Sequence, residues 1–395
     1  MRLFILRFAN YLDHPLMEST LKISPSPLRI ALAFEPVSPW EIGIIHGAIS
    51  YSQSRNWNFF GYSPMMTPLG ELESWRGDGI ISIIKSEERL LEVAQLGLPV
   101  VDVAGAASDP RVHRVLNDDK GSGDKAGDYL KKRGFRDVVY CGVELGWSDC
   151  RELGLRESLA PVQISSSLYR SLAWWENNRP SRELQHWLAQ LAPSTAIVCC
   201  HDSAALKVAM ACREAEIAVP EKLSILGFDN NIVLCELAQP PLSSVALDVE
   251  AIGYRAGKVL DDLMKGKKVP HESLLPSGEV VERASSMHFP VGDKLVSRAM
   301  GLIQIQACEG LSVNQLIGQL PVSRRNLELR FKKAIGKSPF EAITVVRLEK
   351  AVALLTKTQE TIAGVGERCG YPTPARFYSA FRKAFGCTPD QYRRR

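Results

Sequence analysis

Two stretches near the C-terminus place basic side chains at the spacing of a helix-turn-helix. In the first, the helical pattern SVNQLIGQL is followed by a tight turn and the helical pattern SRRNLELRFKKAIG. In the second, TIAGVGERC is followed by the turn GYPT and the pattern PARFYSAFRKAFG. Such a pair of helices binds DNA because the second helix can lie in the major groove while the first braces it on the backbone. The two motifs, over residues 312–336 and 362–386, therefore predict a DNA-binding module.

The periodicity of each second helix separates a buried face from an exposed one. Leu327 and Phe331 lie four residues apart and should face the core, as should Phe377 and Phe381. The residues left on the surface, where they could meet base edges, are Arg324, Arg325, Glu328 and Leu329 in the first motif and Ala375, Tyr378, Ser379 and Arg382 in the second.

Four further residues are placed to hold the DNA backbone. Lys332 and Lys333 follow the residues of the first motif that could meet base edges (its reading face), and they are placed where they could contact phosphates. Ser323 and Thr373 suit N-cap positions, whose amides can also hold a phosphate. The alternative is a small helical bundle with an ordinary basic surface. Two motifs of one plan, together with the charge distribution, favour the DNA-binding interpretation.

The net charge of +4 hides a sharp division along the chain. From Lys294 onward there are 18 Lys and Arg against 7 Asp and Glu, whereas the preceding residues carry 30 against 37. A basic C-terminal part and an acidic N-terminal part indicate different partners, and the partner of the basic part is predicted to be a polyanion.

The elements before the basic part follow an alternating pattern. Strand patterns and helical stretches succeed one another from Leu28 to Arg283. The strand patterns are Leu28–Phe34, Trp57–Tyr62, Gly79–Ile84, Pro99–Val103, Val112–Leu116, Asp137–Gly142, Thr195–Cys200 and Leu223–Phe228. Near-continuous apolar strands separated by helices predict an α/β domain of parallel sheets with helices on both faces. Residues 28–283 are many for one sheet and suit two similar lobes.

After Arg283 the pattern changes from alternating to all-helical. The stretch 284–293, ASSMHFPVGD, has no periodicity and is predicted to be a linker. Helical patterns alone follow over residues 294–395, with breaks at glycine or proline. Before the sheets, we expect residues 1–27 to be a poorly ordered extension, with translation beginning at Met1 or Met17.

Composition argues against several other classes of protein. The nine cysteines include no CxxC pair and no zinc-like spacing, so neither a disulfide framework nor a metal site is predicted. The histidines His46, His113 and His201 are scattered, and no catalytic arrangement can be assembled from them. No apolar run approaches the roughly 20 residues that span a bilayer. We therefore expect a cytoplasmic protein that is not an enzyme and needs no cofactor.

The C-terminal hundred residues resemble the AraC/XylS family of transcription regulators. The resemblance rests on SRRNLELRFKKAIGKSPFEAI, RLEKAVALLTKT, ERCGYPTPARFYSAFRKAFG and TPDQYRR. It implies that each second helix enters one of two adjacent major-groove segments. Two features depart from the family pattern: Gly364 and Gly366 lie inside a brace helix, and Leu329 stands where relatives often carry a polar or basic residue.

The preceding part resembles the sugar-binding fold shared by LacI-type regulators and periplasmic binding proteins. The segments that carry this likeness include WRGDGIIS, WSDCRELG, VPEKLSILGFDNN and LCELAQPPLSSV. The domain order is similar to that of the xylose-operon regulator group, which joins this fold to a C-terminal AraC-type domain. The resemblance implies a homodimer that senses a small sugar.

Five residues are candidates for contacts to that effector. Asp202 and Asp229 directly follow strand patterns, and the carboxyl ends of strands line the cleft of a two-lobed α/β fold. Arg151 lies in WSDCREL, where relatives of this fold place an arginine that clamps the sugar. Asn230 and Trp40 could add an amide and a stacking face. The alternatives are that Asp202 caps a helix, Asp229 holds a turn and Trp40 belongs to the core.

The sequence thus predicts a ligand-responsive transcription regulator, with a xylose-like monosaccharide as effector. Double-stranded DNA is the expected partner, and RNA polymerase is a further candidate. One alternative keeps the same architecture but has a non-sugar effector or a pocket that no longer binds one. A more remote alternative is a periplasmic sugar-binding protein, which would have no use for the basic helices.

Overall fold

Two parallel β-sheets flanked by helices precede the all-helical C-terminal part. The computed structural model describes residues 26–34, 38–60, 76–160, 164–166, 182–289 and 293–394. The expected N-terminal extension therefore lies outside the described residues up to position 25, as do 290–292 of the predicted linker.

The elements of the sheet-containing part alternate along the chain, as the apolar runs predict. They are β1 (Leu28–Ala33), α1 (Pro39–Ser52), β2 (Trp57–Phe60), β3 (Gly79–Ser82), α2 (Glu87–Gln95), β4 (Val100–Asp102), β5 (His113–Asn117), α3 (Asp119–Arg133), β6 (Val138–Cys141), α4 (Gly146–Leu159), β7 (Ile164–Ser166), α5 (Arg182–Gln190), β8 (Thr195–Cys199), α6 (Asp202–Glu214), β9 (Leu223–Asp229), α7 (Ile232–Leu237), β10 (Ser243–Ala246), α8 (Val249–Met264), β11 (Glu272–Leu275) and β12 (Val280–Val281).

Each sheet contains six strands and forms the centre of one lobe. The first has the order β11-β5-β4-β3-β1-β2, and all of its pairs are parallel. The second has the order β12-β10-β9-β8-β6-β7, in which only the β10–β12 pair is antiparallel. The central strands β3, β4, β6, β8 and β9 are mostly apolar and buried, because helices cover both faces of each sheet.

The chain passes between the two sheets three times. It leaves the first sheet after β5, returns after β10 through α8, and goes back from β11 to β12. Both lobes are therefore built from separated parts of the chain, and three connections lie between them. This is the two-lobed parallel architecture that the sequence predicts.

The C-terminal part is helical throughout its described residues. It consists of α9 (Lys294–Gln306), a 3-10 turn (Ala307–Glu309), α10 (Val313–Gly318), α11 (Arg324–Ile335), α12 (Pro339–Lys357), α13 (Ile362–Arg368), α14 (Pro374–Phe385) and α15 (Pro389–Arg393).

Two small apolar cores hold these helices, one for each predicted motif. The first core surrounds Leu327 and Phe331 of α11, and the second surrounds Phe377 and Phe381 of α14. All four side chains are fully buried, as their spacing predicts. Helix α12 contributes residues to both cores, so it fixes one helix-turn-helix relative to the other.

Some elements have no clear signal in the sequence. Strands β7, β11 and β12 have two to four residues each and lie at sheet edges, where packing rather than periodicity decides conformation. The beginning of the predicted linker forms a 3-10 turn (Ala284–Ser286), and its serines are fully buried against β9 and β10. No helix among the described residues is long and apolar enough to cross a membrane.

Candidate functional site

A buried arginine lies among acidic groups in the second lobe. Arg151, on α4, donates through Nε to Asp119 Oδ1 at 2.8 Å and through Nη1 to the carbonyl oxygen of Cys200 at 2.6 Å. Its Nη1 also lies 3.6 Å from Asp229 Oδ1. Among the described residues no hydrogen bond is formed by Nη2 of Arg151 or by Oδ2 of Asp229. The separation of 3.6 Å between Nη1 and Oδ1 thus leaves a charged donor and an acceptor close together without a direct hydrogen bond.

The partners of Arg151 all come from the ends of strands. Asp119 begins α3 just after β5, Cys200 follows β8, and Asp229 is the last residue of β9. Because these strands run parallel within their sheets, their carboxyl ends lie toward the crevice where ligands of open α/β folds bind.

A close helix crossing places Arg151 beside Asp119. Helices α3 and α4 approach so closely that a Cβ at Gly123 would lie 2.0 Å from the carbonyl oxygen of Arg151. A Cβ at Gly154 would likewise lie 2.0 Å from the carbonyl oxygen of Lys120. Only glycine allows this backbone contact, which sets the position of the guanidinium.

Aromatic rings cover the guanidinium. The Cζ atom of Arg151 lies 4.9 Å from the ring centroid of Trp147 and 4.9 Å from that of Phe228. His201 lies 6.2 Å from Trp147, centroid to centroid. Burial, followed by the nearby charge of Arg151, lowers the pKa of His201 to about 4. The neutral ring accepts a hydrogen bond from the Ala204 amide at Nδ1, so it caps α6.

The two carboxyls of this cluster favour the charged form of Arg151, which burial alone would disfavour. Burial alone would lower the pKa of Arg151, but the carboxylates of Asp119 and Asp229 raise it above its ordinary value. Burial raises the pKa of Asp229, whereas the charge of Arg151 acts in the opposite direction. A buried guanidinium between two partly exposed carboxyls can bind a polar ligand through charged hydrogen bonds.

The backbone after β9 is held in a conformation that side chains rarely adopt. Asp229 and Asn230 have φ values of 98° and 51°. Such strain costs free energy and concentrates at ligand sites. Asn230 does not point its amide oxygen at Arg151; the oxygen accepts from Arg283 Nη2 at 2.9 Å.

Asp202 and Trp40 lie outside the Arg151 cluster. Asp202 is fully buried, and its carboxylate accepts hydrogen bonds from the Asn231 amide and the Ser244 hydroxyl, both at 2.7 Å. It is the first residue of α6 rather than its cap, which is His201. Trp40 is half-buried at the start of α1 and packs against the core of the first sheet. Their contact with an effector stays a prediction.

Two members of the cluster were not predicted from the sequence. Asp119 lies at the start of a helix, where acidic residues often serve only as caps; the cap of α3 is its neighbour Asp118, whereas Asp119 pairs with Arg151. The ion pair joins residues 32 positions apart, and no local pattern indicates it. Trp147 lies in the same WSDCREL segment as Arg151, which is the only signal that could have suggested it.

The second candidate site is formed by α11 and α14. The two helices have the same length, and each position of α11 corresponds to the position 50 residues later in α14. Ser323 and Thr373 are the N-caps of the two helices, and each accepts from the amide three residues on. Both helices end at a glycine with φ 72°, Gly336 and Gly386. The two predicted motifs are thus one structural unit used twice.

The predicted reading faces are exposed, with two local differences. The exposed residues of this set are Arg324, Arg325, Glu328, Leu329, Lys332, Lys333, Ala375, Ser379 and Arg382. Arg324 donates to Glu328 along α11 at 3.0 Å. Tyr378 is half-buried, and its hydroxyl donates to Asp390 at 2.7 Å. The exposed part of the predicted base-contacting face is therefore smaller on α14 than on α11.

Comparison with known proteins agrees with both halves of the structure. Residues 128–286 match the family described as periplasmic binding protein-like domain, and residues 316–395 match a helix-turn-helix domain family. Xylose operon regulatory proteins are similar over nearly the whole length. That of Escherichia coli (strain K12) is 31% identical, with 92% of this chain and 96% of the relative covered. That of Haemophilus influenzae is 29% identical, with 92% and 98% covered.

Solved structures give the same result. The structure of a xylose-binding transcription activator superposes with a TM-score of 0.60 at 30% identity, covering 93% of this chain and 98% of that one. A LacI-type regulator from Alkaliphilus metalliredigens complexed with D-xylulofuranose has a TM-score of 0.54 at 20% identity and covers 66% of this chain and 98% of its own. The latter likeness shows the fold of the two-lobed part.

Proposed function

Because the chain belongs to the family of xylose operon regulatory proteins, we propose that D-xylose or a closely related monosaccharide binds beside Arg151 and changes the protein's affinity for DNA. The protein is a sugar-responsive transcription regulator of this family. The identity of the sugar, its contacts and the assembly of the protein on DNA are what we propose.

One observation carries the effector site: the Arg151 guanidinium lies 3.6 Å from the Asp229 carboxyl, Nη1 to Oδ1, without a direct hydrogen bond between them. A donor beside an acceptor suits two neighbouring hydroxyls of a sugar, which donate and accept in turn. Asp119 and the Cys200 carbonyl hold the guanidinium in place, so it is already oriented before a ligand arrives. Trp147 lies within reach to cover the C–H face of the ring.

The DNA half of the proposal rests on charge and exposure. Arg325 and Arg382 lie on the exposed faces of α11 and α14, and Lys332 and Lys333 extend the basic surface toward the end of α11. Since α12 joins both motifs, the two reading helices can enter neighbouring major-groove segments of one duplex. We further propose that a homodimer acts on paired half-sites in the cytoplasm, and that the protein's role is regulatory rather than enzymatic.

A thermal-shift experiment on the full chain tests the effector site. We expect D-xylose to raise the melting temperature, and we expect Arg151→Lys to remove the response because a lysine cannot span the same partners. Arg213→Ala, on the exposed side of α6, should keep the response. Binding of another monosaccharide instead of D-xylose would correct the identity of the sugar. No response to any monosaccharide would favour a non-sugar effector.

A further inference from the structure

Helix α11 carries a large apolar side chain in the middle of its exposed face. Leu329 is 63% exposed, whereas the other large apolar residues of its central turns, Leu327 and Phe331, are fully buried. Leu329 follows Leu327 by two residues, so it lies about 200° around the helix axis from it. The side chain therefore points away from the core rather than along its margin.

Cations flank this leucine on the same stripe of the helix. Arg325 lies one turn before Leu329, and Lys332 and Lys333 lie one turn after it; all three are exposed. A surface of this kind fits a partner that is anionic along its edges and apolar at one point between them. A single exposed leucine is ordinary on a protein surface, but its place between three cations at the centre of a reading helix is not.

Duplex DNA offers such a combination at thymine. In the major groove the base edges present hydrogen-bond donors and acceptors, and the one apolar group among them is the C5 methyl of thymine. Phosphates beyond that methyl would meet Lys332 and Lys333, and Arg325 lies one turn away, toward neighbouring base edges. The matching position of α14 is Ser379, which has no comparable apolar surface. The two helices are thus built to meet different bases at equivalent positions.

We propose that Leu329 contacts the C5 methyl of a thymine and so specifies that base in the half of the site bound by α11. The proposal rests on the proposed sequence-specific DNA binding and deepens it. The neighbouring Glu328 is already paired with Arg324. Leu329 has no such partner on the helix, so it can contact the methyl group without breaking an ion pair.

The test begins by selecting the binding site with the full-length chain. A random duplex pool is enriched in the presence and in the absence of D-xylose, and the consensus duplex is then scanned by replacing each thymine with deoxyuridine, which removes only the methyl group. We expect one or two adjacent thymines whose replacement weakens binding about fourfold, the value of one buried methyl-sized group.

Two variants connect that methyl to Leu329. In Leu329→Ala the same deoxyuridine replacement should cause no further loss, because the leucine and the methyl contribute through one contact. Ser379→Ala, at the matching position of α14, should keep the full methyl effect. Both side chains are exposed, so neither change should disturb folding.

The outcomes separate this inference from the function on which it rests. Failure to enrich any sequence would overturn both. An enriched site with no thymine-methyl effect would overturn the role of Leu329 alone. A methyl effect that persists undiminished in Leu329→Ala would also overturn that role, since another group would then contact the methyl.

Discussion

At the scale of single residues, the buried carboxyl of Asp202 makes stability depend on pH. Burial raises the pKa of Asp202 to about 6, although its hydrogen bonds oppose this rise. In the unfolded chain an aspartate titrates near 3.9. Between these values the folded protein holds more protons than the unfolded chain. The free energy of unfolding should therefore fall by on the order of 2 kcal/mol as the pH rises from about 4 to about 6.

The isosteric change Asp202→Asn isolates this contribution. The variant keeps an oxygen for the Asn231 amide but has no proton to exchange. Urea unfolding between pH 4.5 and 7.5 should show that wild type loses stability relative to Asp202→Asn as the pH rises. Asp137→Asn, at an exposed position, should run parallel to wild type. If Asp202→Asn also runs parallel, another group causes the pH dependence.

The residues of the Arg151 cluster can be predicted from the sequence only in part. Asp229 stands at a strand end, where the fold places polar ligands, and the structure brings Arg151 of α4 within 3.6 Å of it. Asp119 could not be predicted because its contact depends on the crossing of α3 and α4. Asn230 follows Asp229 directly, but its side-chain oxygen accepts from Arg283, which lies 53 residues away in sequence, so its contact with an effector stays a prediction.

At the scale of elements, the two glycines of the brace helix α13 differ in how closely their neighbours pack against them. A Cβ at Gly366 would lie 2.9–3.2 Å from the side chain of Phe377, which is fully buried and cannot withdraw. Gly366→Ala should therefore destabilise the C-terminal part by about 1–3 kcal/mol and weaken DNA binding by displacing α14. Urea unfolding of the full chain and titration with the selected duplex measure both effects.

Gly364 supplies the matched control on the same helix. A Cβ there would meet only the Thr361 hydroxyl, at 3.1 Å. Gly364→Ala should keep DNA binding and change the free energy of unfolding by less than about 1 kcal/mol, because the gain in helix propensity is opposed by the close approach to the Thr361 hydroxyl that caps the helix. Equal destabilisation by both changes would contradict the contact with Phe377. The departure from the family pattern at Gly366 thus has a packing reason, whereas nothing in the structure requires glycine at 364.

Elements with strong periodicity were the ones that the sequence predicted. The helices of both motifs and most central strands combine apolar repeats with clear caps or breaks, and they lie close to their predicted positions, whereas β10, inside the second sheet, has no predicted counterpart. Helix α7 and the edge strands β11 and β12 are short, so few residues report their period. The buried serines Ser285 and Ser286 have no periodic signal at all, because hydrogen bonds to β9 and β10 hold them.

At the scale of the whole molecule, the chain from Arg283 to His288 has hydrogen bonds at each end, one beside the Arg151 cluster and one to α9 of the DNA-binding part. Arg283 donates to the side chain of Asn230, directly after Asp229, and to the Leu242 carbonyl at 2.9 Å. A few residues on, His288 hydrogen-bonds to Ser297 of α9 at 3.0 Å. A change in the strained turn at Asp229 therefore has a short physical connection to the start of the helical part.

This connection predicts a variant that separates sugar binding from the DNA response. Arg283→Ala removes the link to Asn230 but leaves Arg151 and its partners unchanged. D-xylose should still raise the melting temperature, while the ratio of DNA affinities with and without D-xylose should move toward one, because that ratio measures the coupling free energy between the two sites. Arg213→Ala should keep the wild-type ratio. A wild-type ratio in Arg283→Ala would show that the coupling runs through other contacts between the lobes and α9, such as the hydrogen bond that Gln304 donates to Glu282.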